Sequence, residues 1–182
     1  MDLEKIDRII SINSIATSKL CQLFGKEMKK RKRGRIMIMS SIAGSVPGIP
    51  TTSIYAASKA FLNSFATSLG KELECFGIGV TCVMPGAVIN TNFAASTNME
   101  DSFVWTIPIL CLTPHYVASC AVMSMILGHA EITIGWTNIL LSKIAPFFIP
   151  ARFLTLICEL AWRPDPFSTF KKDKTNVYSS KS

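Results

Sequence analysis

Two short apolar runs, Arg35 to Ser40 (RIMIMS) and Ile78 to Met84 (IGVTCVM), flank a helical pattern from about Thr52 to Cys75. Each run is too short for a helix and too continuously apolar for a strand with one wet face, so each reads as a strand buried on both sides. Joining two such strands through a helix requires a crossover, which makes them parallel neighbours in an α/β sheet. A further helix from about Asn13 to Arg33 precedes the first strand. It carries Ile15, Leu20, Leu23, Phe24 and Met28 at near-helical spacing, with Gly34 as its stop and basic residues suited to the negative end of its dipole. The helix after Thr52 offers Phe61, Phe65, Leu69 and Leu73 as an i, i+4 stripe for its buried face. Thr113-Pro114 opens another helix to Leu127, with Thr as cap and Pro in the first turn, and Glu131 to Ile134 reads as a third strand. Met37, Met39, Met84, Met123 and Met125 fall on runs expected to face the core.

At 182 residues the chain is the size of one domain. We assign it to residues 1–170, followed by a polar tail, 171–182, expected to be disordered. Only 17% of residues are charged, low for a soluble protein. The net charge of +7 comes largely from Lys29–Arg35 and the C-terminal tail. These read as solvated ends; without interleaved aromatics they give no nucleic-acid footprint, while a nuclear address or an anionic-lipid contact are the functional alternatives. The six cysteines have no C-x-x-C spacing and lie mostly in apolar stretches, so they read as reduced thiols in an intracellular, cytoplasmic protein. No structural metal is expected, since neither His115 nor His129 has a partner at metal spacing. The charged N-terminus lacks the apolar core of a secretory signal. Phe103 to Leu127 is uncharged but divided by Pro108 and Pro114. Ile132 to Trp162 is broken by Lys143, Pro146, Pro150 and Arg152 into short amphipathic pieces that could line a lipophilic pocket or lie on a membrane such as the endoplasmic reticulum.

Tyr55 and Lys59, in YAASK, are four residues apart and so project from one helix face toward a common point. A free tyrosine has a pKa of about 10, and a neighbouring ammonium favours its phenolate, so the pair suits proton exchange with a substrate oxygen. Ser40 and Ser41 end the first strand and enter a loop containing Gly44, Pro47, Gly48 and Pro50. That places a hydroxyl at the carboxyl edge of a parallel sheet, where open α/β sheets bind ligands.

With GRIMIMSSIAG, YAASKAFLNSFATSLGKEL and VTCVMPGAV, these residues make the chain resemble the short-chain dehydrogenase/reductase family over roughly Met1 to Trp162. The resemblance implies a doubly wound, Rossmann-like parallel sheet, here N-terminally truncated. It implies NADP (or NAD) as cofactor, with NADP(H) favoured on family grounds. Tyr55 would be the general acid/base, Ser41 would bind the same substrate oxygen, and Lys59 would tune the tyrosine and hold the nicotinamide ribose. Asn13 would support a water-linked relay. Pro85, Gly86, Val88 and Thr91 would cradle the nicotinamide, with Tyr55 and Lys59 also touching cofactor. Ser41 lies fourteen residues before Tyr55, one more than the family's commonest spacing, with Ser40 the fallback, and Thr91 sits one residue late. Asn13 could alternatively serve only as a helix cap.

The sequence contains neither a T-G-x-x-x-G-x-G phosphate loop nor the family's N-A-G turn, and the first strand is expected to present an unpaired apolar edge. The resulting expectation is an oxidoreductase interconverting a carbonyl and an alcohol on a lipophilic small molecule, with homo-oligomers pairing through the two long helices. The alternatives are a non-catalytic fragment and a membrane-associated interaction protein.

Overall fold

The computed structural model describes residues 2–92 and 102–163, and its strands fall where the apolar runs place them. In chain order the elements are α1 (Leu3–Ile10), a π-helical segment Ser11–Ala16, α2 (Thr17–Arg31), β1 (Gly34–Met39), α3 (Ser53–Glu74), β2 (Ile78–Met84) and β3 (Ala87–Val88). Then follow β4 (Cys111–Leu112), α4 (Pro114–Leu127), β5 (Glu131–Thr133), α5 (Trp136–Ile139), a second π-helical segment Leu140–Ile144, α6 (Ala145–Phe148) and α7 (Ala151–Trp162). β1, β2 and β5 form a parallel sheet in the order β1-β2-β5, with Ile38 opposite Cys82 and Val83 opposite Ile132. A second parallel pair, β3 with β4, has strands of only two residues each and is invisible to periodicity.

The alternation of β2 shows why this is a doubly wound sheet. Val80, Cys82 and Met84 point to one face, where they pack with Leu62, Ala66, Leu69 and Leu73 of α3. Val83 points to the other and packs with Val117 and Ala121 of α4 and with Ile134. Every residue of β2 from Val80 to Met84 is buried, as a central strand between two helical layers requires. Fully burying a leucine such as Leu62 or Leu73 contributes about 2 kcal/mol. α4 begins as the sequence indicates, with the Thr113 side chain accepting a hydrogen bond from the Tyr116 amide and Gly128 closing the helix at φ 79°.

Several sequence expectations are corrected. The first helical region starts at Leu3, so Asn13 sits inside a π-helical segment and does not cap a helix. It ends with Lys32 in the left-handed conformation, and Gly34 already belongs to β1, where a Cβ would collide with the Met28 side chain. Of the expected apolar stripe of this helix only Met28 packs against the core: Ile15, Leu20, Leu23 and Phe24 are exposed, whereas Cys21 and Gly25 are buried. Small residues line the buried side because α2 lies against β1 and β2, where Cys21 joins the core, and a Cβ at Gly25 would already touch the tip of Leu73. On α3 the buried face runs through Ala56, Leu62, Ala66, Leu69 and Leu73; Phe61 is exposed and stacks on Phe65 at 5.8 Å between ring centroids. Met84 is buried, but Met37 and Met39 on β1 and Met123 on α4 are exposed. The methionines of β1 lie on the opposite side of the strand from Ile38, away from the α3 layer.

Among the described residues β1 pairs with β2 alone, and no helix is long and apolar enough to cross a membrane. Ile132 to Trp162 does break into short helical pieces. The proposed tail, 171–182, lies outside the described residues. All six thiols are free. Burial, followed by the charge of Glu131, pushes Cys82 from an ordinary 9.0 up to about 11, against the opposing pull of Lys143 and Lys59. A thiolate-selective reagent at pH 8 is therefore expected to label the exposed Cys75 and to reach buried Cys82 only after unfolding. Mass-spectrometric mapping of the labelled native chain checks this, and comparable labelling of both sites would contradict the packing of β2.

Candidate active site

The loop after β1 is bound to α3 by contacts that leave little freedom. The Ser40 amide donates to the Val83 carbonyl at 2.8 Å, and the Ile42 amide to the Pro85 carbonyl at 3.0 Å, extending the β1–β2 connection past the strand ends. The Ser40 hydroxyl donates to the Lys59 carbonyl at 3.0 Å. Gly44, in the turn Ile42–Gly44, lies so close to α3 that a Cβ there would collide with the backbone of Lys59 and Ala60. Asn63 on α3 donates to the Ser45 hydroxyl at 3.0 Å and accepts from the Cys82 thiol at 3.5 Å, tying loop, helix and central strand together.

This clamp presents Ser41 to Tyr55. The Ser41 hydroxyl accepts the Ala43 amide at 3.1 Å and is hydrogen-bonded to Tyr55. Of the two adjacent serines, Ser40 is turned to the helix backbone and Ser41 to the tyrosine. Tyr55 is half-buried and packs with Ala43, Ile49, Ala56, Cys158 and Trp162. Burial pushes its pKa up, and the Ser41 hydrogen bond partly offsets this. The Lys59 ammonium donates to the Met39 carbonyl at 3.0 Å and lies 5.6 Å from the centroid of the Tyr55 ring. Burial pulls the Lys59 pKa down, with Cys82 acting weakly the other way. The lysine is thus held at the tyrosine ring by a strand-end carbonyl.

Asn13 reaches the same helix by another route. Its side-chain amide donates to the Ser58 hydroxyl at 2.9 Å, and that hydroxyl donates to the Tyr55 carbonyl at 2.7 Å. The π-helical widening at Ser11–Ala16, a feature often found at functional sites, includes Asn13 and faces the first turns of α3.

One cavity of about 1510 Å³ is lined by every candidate residue: Asn13, Ser41, Tyr55 and Lys59 together with Pro85, Gly86, Val88 and Thr91. It opens at the carboxyl ends of β1 and β2. Its far wall is apolar and includes Val104, Trp105, Ile109, Leu154, Ile157 and Trp162, with Trp105 and Trp162 tilted against each other at 6.3 Å. Thr91 donates to the Val88 carbonyl at 3.1 Å, which folds the loop after β3 back on itself.

The sequence reading missed Asn138. It is buried, donates to the Ile134 carbonyl at 2.7 Å and has its own carbonyl capped by the Ser142 hydroxyl at 2.6 Å. A Cβ at Gly86 would run into its side chain, so Asn138 can pack against this turn only because residue 86 is glycine. The signal was present as a lone amide side chain within the largely apolar stretch Ile132 to Leu141, but nothing local distinguished it from a surface position. Thr51, a cavity residue held at φ 70°, was equally unforeseen.

The fit to a nicotinamide nucleotide can be judged at one end. The ammonium of Lys59 and the hydroxyl of Tyr55 suit ribose hydroxyls, and the Pro85–Val88 segment lining the cavity beside them suits the flat edge of a nicotinamide ring. Among the described residues no group of three His, Cys, Asp or Glu side chains could hold a metal ion.

Replacing Gly44 by alanine is expected to destabilise the chain by on the order of 1–3 kcal/mol, because the methyl must displace helix backbone. Thermal unfolding of Gly44→Ala checks this, with Gly48→Ala, whose added Cβ meets only the Thr155 hydroxyl at 3.8 Å, as a nearly neutral control.

Known proteins similar to this chain share its family and its fold. The family model for short chain dehydrogenases matches residues 1–102. The very-long-chain 3-oxoacyl-CoA reductase of Ajellomyces capsulatus is 42% identical over 81 residues, 44% of this chain and 24% of that protein. An uncharacterized oxidoreductase of Myxococcus xanthus is 30% identical over 133 residues, 73% of this chain and 49% of that protein. The chain thus spans between a quarter and a half of these relatives. Among solved structures, the gluconate 5-dehydrogenase of Burkholderia cenocepacia in complex with NADP and tartrate aligns with a TM-score of 0.65 at 15% identity, covering 79% of this chain and 59% of that one. The acetoin dehydrogenase of Salmonella typhimurium aligns at 0.61 and 24% identity, covering 77% and 58%. These likenesses show a shared Rossmann-like fold, and the family match over more than half of the sequence shows that the chain belongs to the short-chain dehydrogenase family.

Proposed function

We propose that this chain carries the catalytic residues of an NAD(P)-dependent reductase that interconverts a carbonyl and an alcohol on a lipophilic, long-chain acyl substrate. The observation that carries the reading is the convergence of Ser41, Tyr55, Lys59 and Asn13 on one cavity whose far wall is apolar. The likeness to very-long-chain 3-oxoacyl-CoA reductases supports the acyl class. When bound, the nicotinamide supplies or accepts the hydride at the reacting carbon.

The protein's own residues manage the oxygen. Ser41, fixed by the Ala43 amide, donates a hydrogen bond to the substrate carbonyl oxygen, and Tyr55 delivers the proton as that oxygen becomes an alcohol. Burial holds Tyr55 in its protonated form at neutral pH, which suits an acid waiting to donate. Lys59 orients the ribose and, released from the Met39 carbonyl, stabilises the phenolate left after transfer. Asn13 holds the helix turn that carries Tyr55 through Ser58, and as a residue of the same cavity it would position a water for reprotonation. NADPH is the reductant expected of this family, and NADH is the comparison to run.

The free thiols support a reducing, intracellular compartment. Exposed Leu20, Leu23 and Phe24 on α2, a cluster costly to leave in water, support self-association through the long helices. Leu23→Glu is expected to lower the mass measured by light scattering.

The central test follows the loss of reduced-nicotinamide absorbance with a long-chain 3-oxoacyl thioester. Tyr55→Phe is expected to lower turnover by about 10²–10⁴-fold while leaving the melting temperature within a few degrees. Full turnover in Tyr55→Phe, or a folded chain that binds neither NADPH nor NADH, would overturn the reading. In the free chain the phenolate absorbance assigned to Tyr55 by difference from Tyr55→Phe should appear only above its ordinary 10.0.

A further inference from the structure

The segment that closes the far side of the cavity has an outer face that water does not favour. In the helix Ala145–Phe148, Phe147 is 85% exposed and Phe148 81% exposed, two adjacent phenyl rings held outward between Pro146 and Pro150. Ile144 at the cavity rim, and Leu156 and Leu160 on the neighbouring helix, are each about half exposed. Singly exposed apolar side chains are ordinary, but this many on consecutive short helices mark a surface that meets something apolar.

Charge and position decide what that is. Between Ile132 and Arg163 the cations are Lys143, Arg152 and Arg163, and the one acid is Glu159, paired with Arg163 at 2.6 Å. Lys143 pairs with Glu131 at 2.7 Å, but both side chains remain substantially exposed, and exposed pairs yield easily to other partners. The Arg152 guanidinium lies 4.9 Å from the Phe153 ring centroid, so a cation and an aromatic ring share one side of α7. Outward aromatic rings on a segment with three cations and one acid are the make-up of an interfacial helix on an anionic bilayer. Ile144, Ala145, Phe148 and Ile149 also line the cavity, so the exposed rim and the cavity mouth are one structure.

We propose that the Leu140–Trp162 region docks the chain on an anionic lipid surface, with Phe147 inserted and Arg152 beside the headgroups, and that a lipophilic substrate passes from the bilayer past Phe148 and Ile149 into the cavity. The second half of this statement rests on the lipophilic-substrate reading above; the first half does not. Entry from the bilayer spares an acyl chain a passage through water, whose cost grows by about 0.8 kcal/mol for each methylene.

The experiment is flotation of the purified full chain with vesicles of phosphatidylcholine alone and with one-fifth phosphatidylserine, which reads binding without any redox assay. The expected result is binding to the anionic vesicles that weakens with added salt. Phe147→Ser and Arg152→Gln, neither of which lines the cavity, are each expected to weaken it several-fold, and together about tenfold or more, at unchanged melting temperature. Phe147→Trp should restore binding and controls against a folding defect in the serine variant. Absence of binding by the wild-type chain, or binding indifferent to these substitutions, would overturn the proposal. So would a dimer by light scattering that Phe147→Ser dissociates, since the face would then be occupied by a second copy. Vesicle binding by a chain that turns over no carbonyl would retain the docking face and remove only the substrate reading.

Discussion

The cavity depends on how closely the turn Ile42–Gly44 approaches α3. With a side chain at Gly44 the turn could not lie against the backbone of Lys59, and Ser41 would no longer meet Tyr55. That contact is possible because β1 and β2 are paired in register to their ends and the pairing continues through the Ser40 and Ile42 amides. The hydroxyl, phenol and ammonium are therefore placed by backbone hydrogen bonds and a packing constraint, which hold position better than flexible side-chain contacts alone.

Electrostatics then follow from burial. Tyr55 and Lys59 share a half-buried site, and burial disfavours the charged form of each, so the tyrosine pKa moves up and the lysine pKa down. The lysine meets a carbonyl oxygen of β1, and the tyrosine meets Ser41. The arrangement keeps the acid protonated until a substrate oxygen arrives, while a cation waits beside its ring. Low local polarity, which costs something in stability for each buried polar group, is also what gives these short-range interactions their strength.

The far wall answers to a different constraint. Helices of four to twelve residues around two proline breaks cannot bury all of their apolar side chains against one sheet, so some face the cavity and some face outward. Asn138, bonded at both ends to the backbone and side chain of its own turn, fixes this wall to the Gly86 loop. The cavity thus joins a polar, rigid rim at the sheet to an apolar, segmented rim at the surface.

Strand positions, the order of elements and the candidate site residues were legible in the amino-acid sequence, because each depends on local spacing. RIMIMS and IGVTCVM could be little other than buried strands, and Tyr55 and Lys59 share a face on any helix. Which apolar face of a helix is covered was not legible, since coverage is a relation between two surfaces far apart in the chain. For that reason Phe24, Phe61 and Met39 were expected inside and lie outside, while Cys21, Gly25 and Ala66 form the contacts. The choice between Ser40 and Ser41, the bond from Asn13 to Ser58, and the buried place of Asn138 were likewise decided only in the tertiary structure. Each depends on which distant backbone or side-chain group comes within hydrogen-bonding reach once the layers have packed.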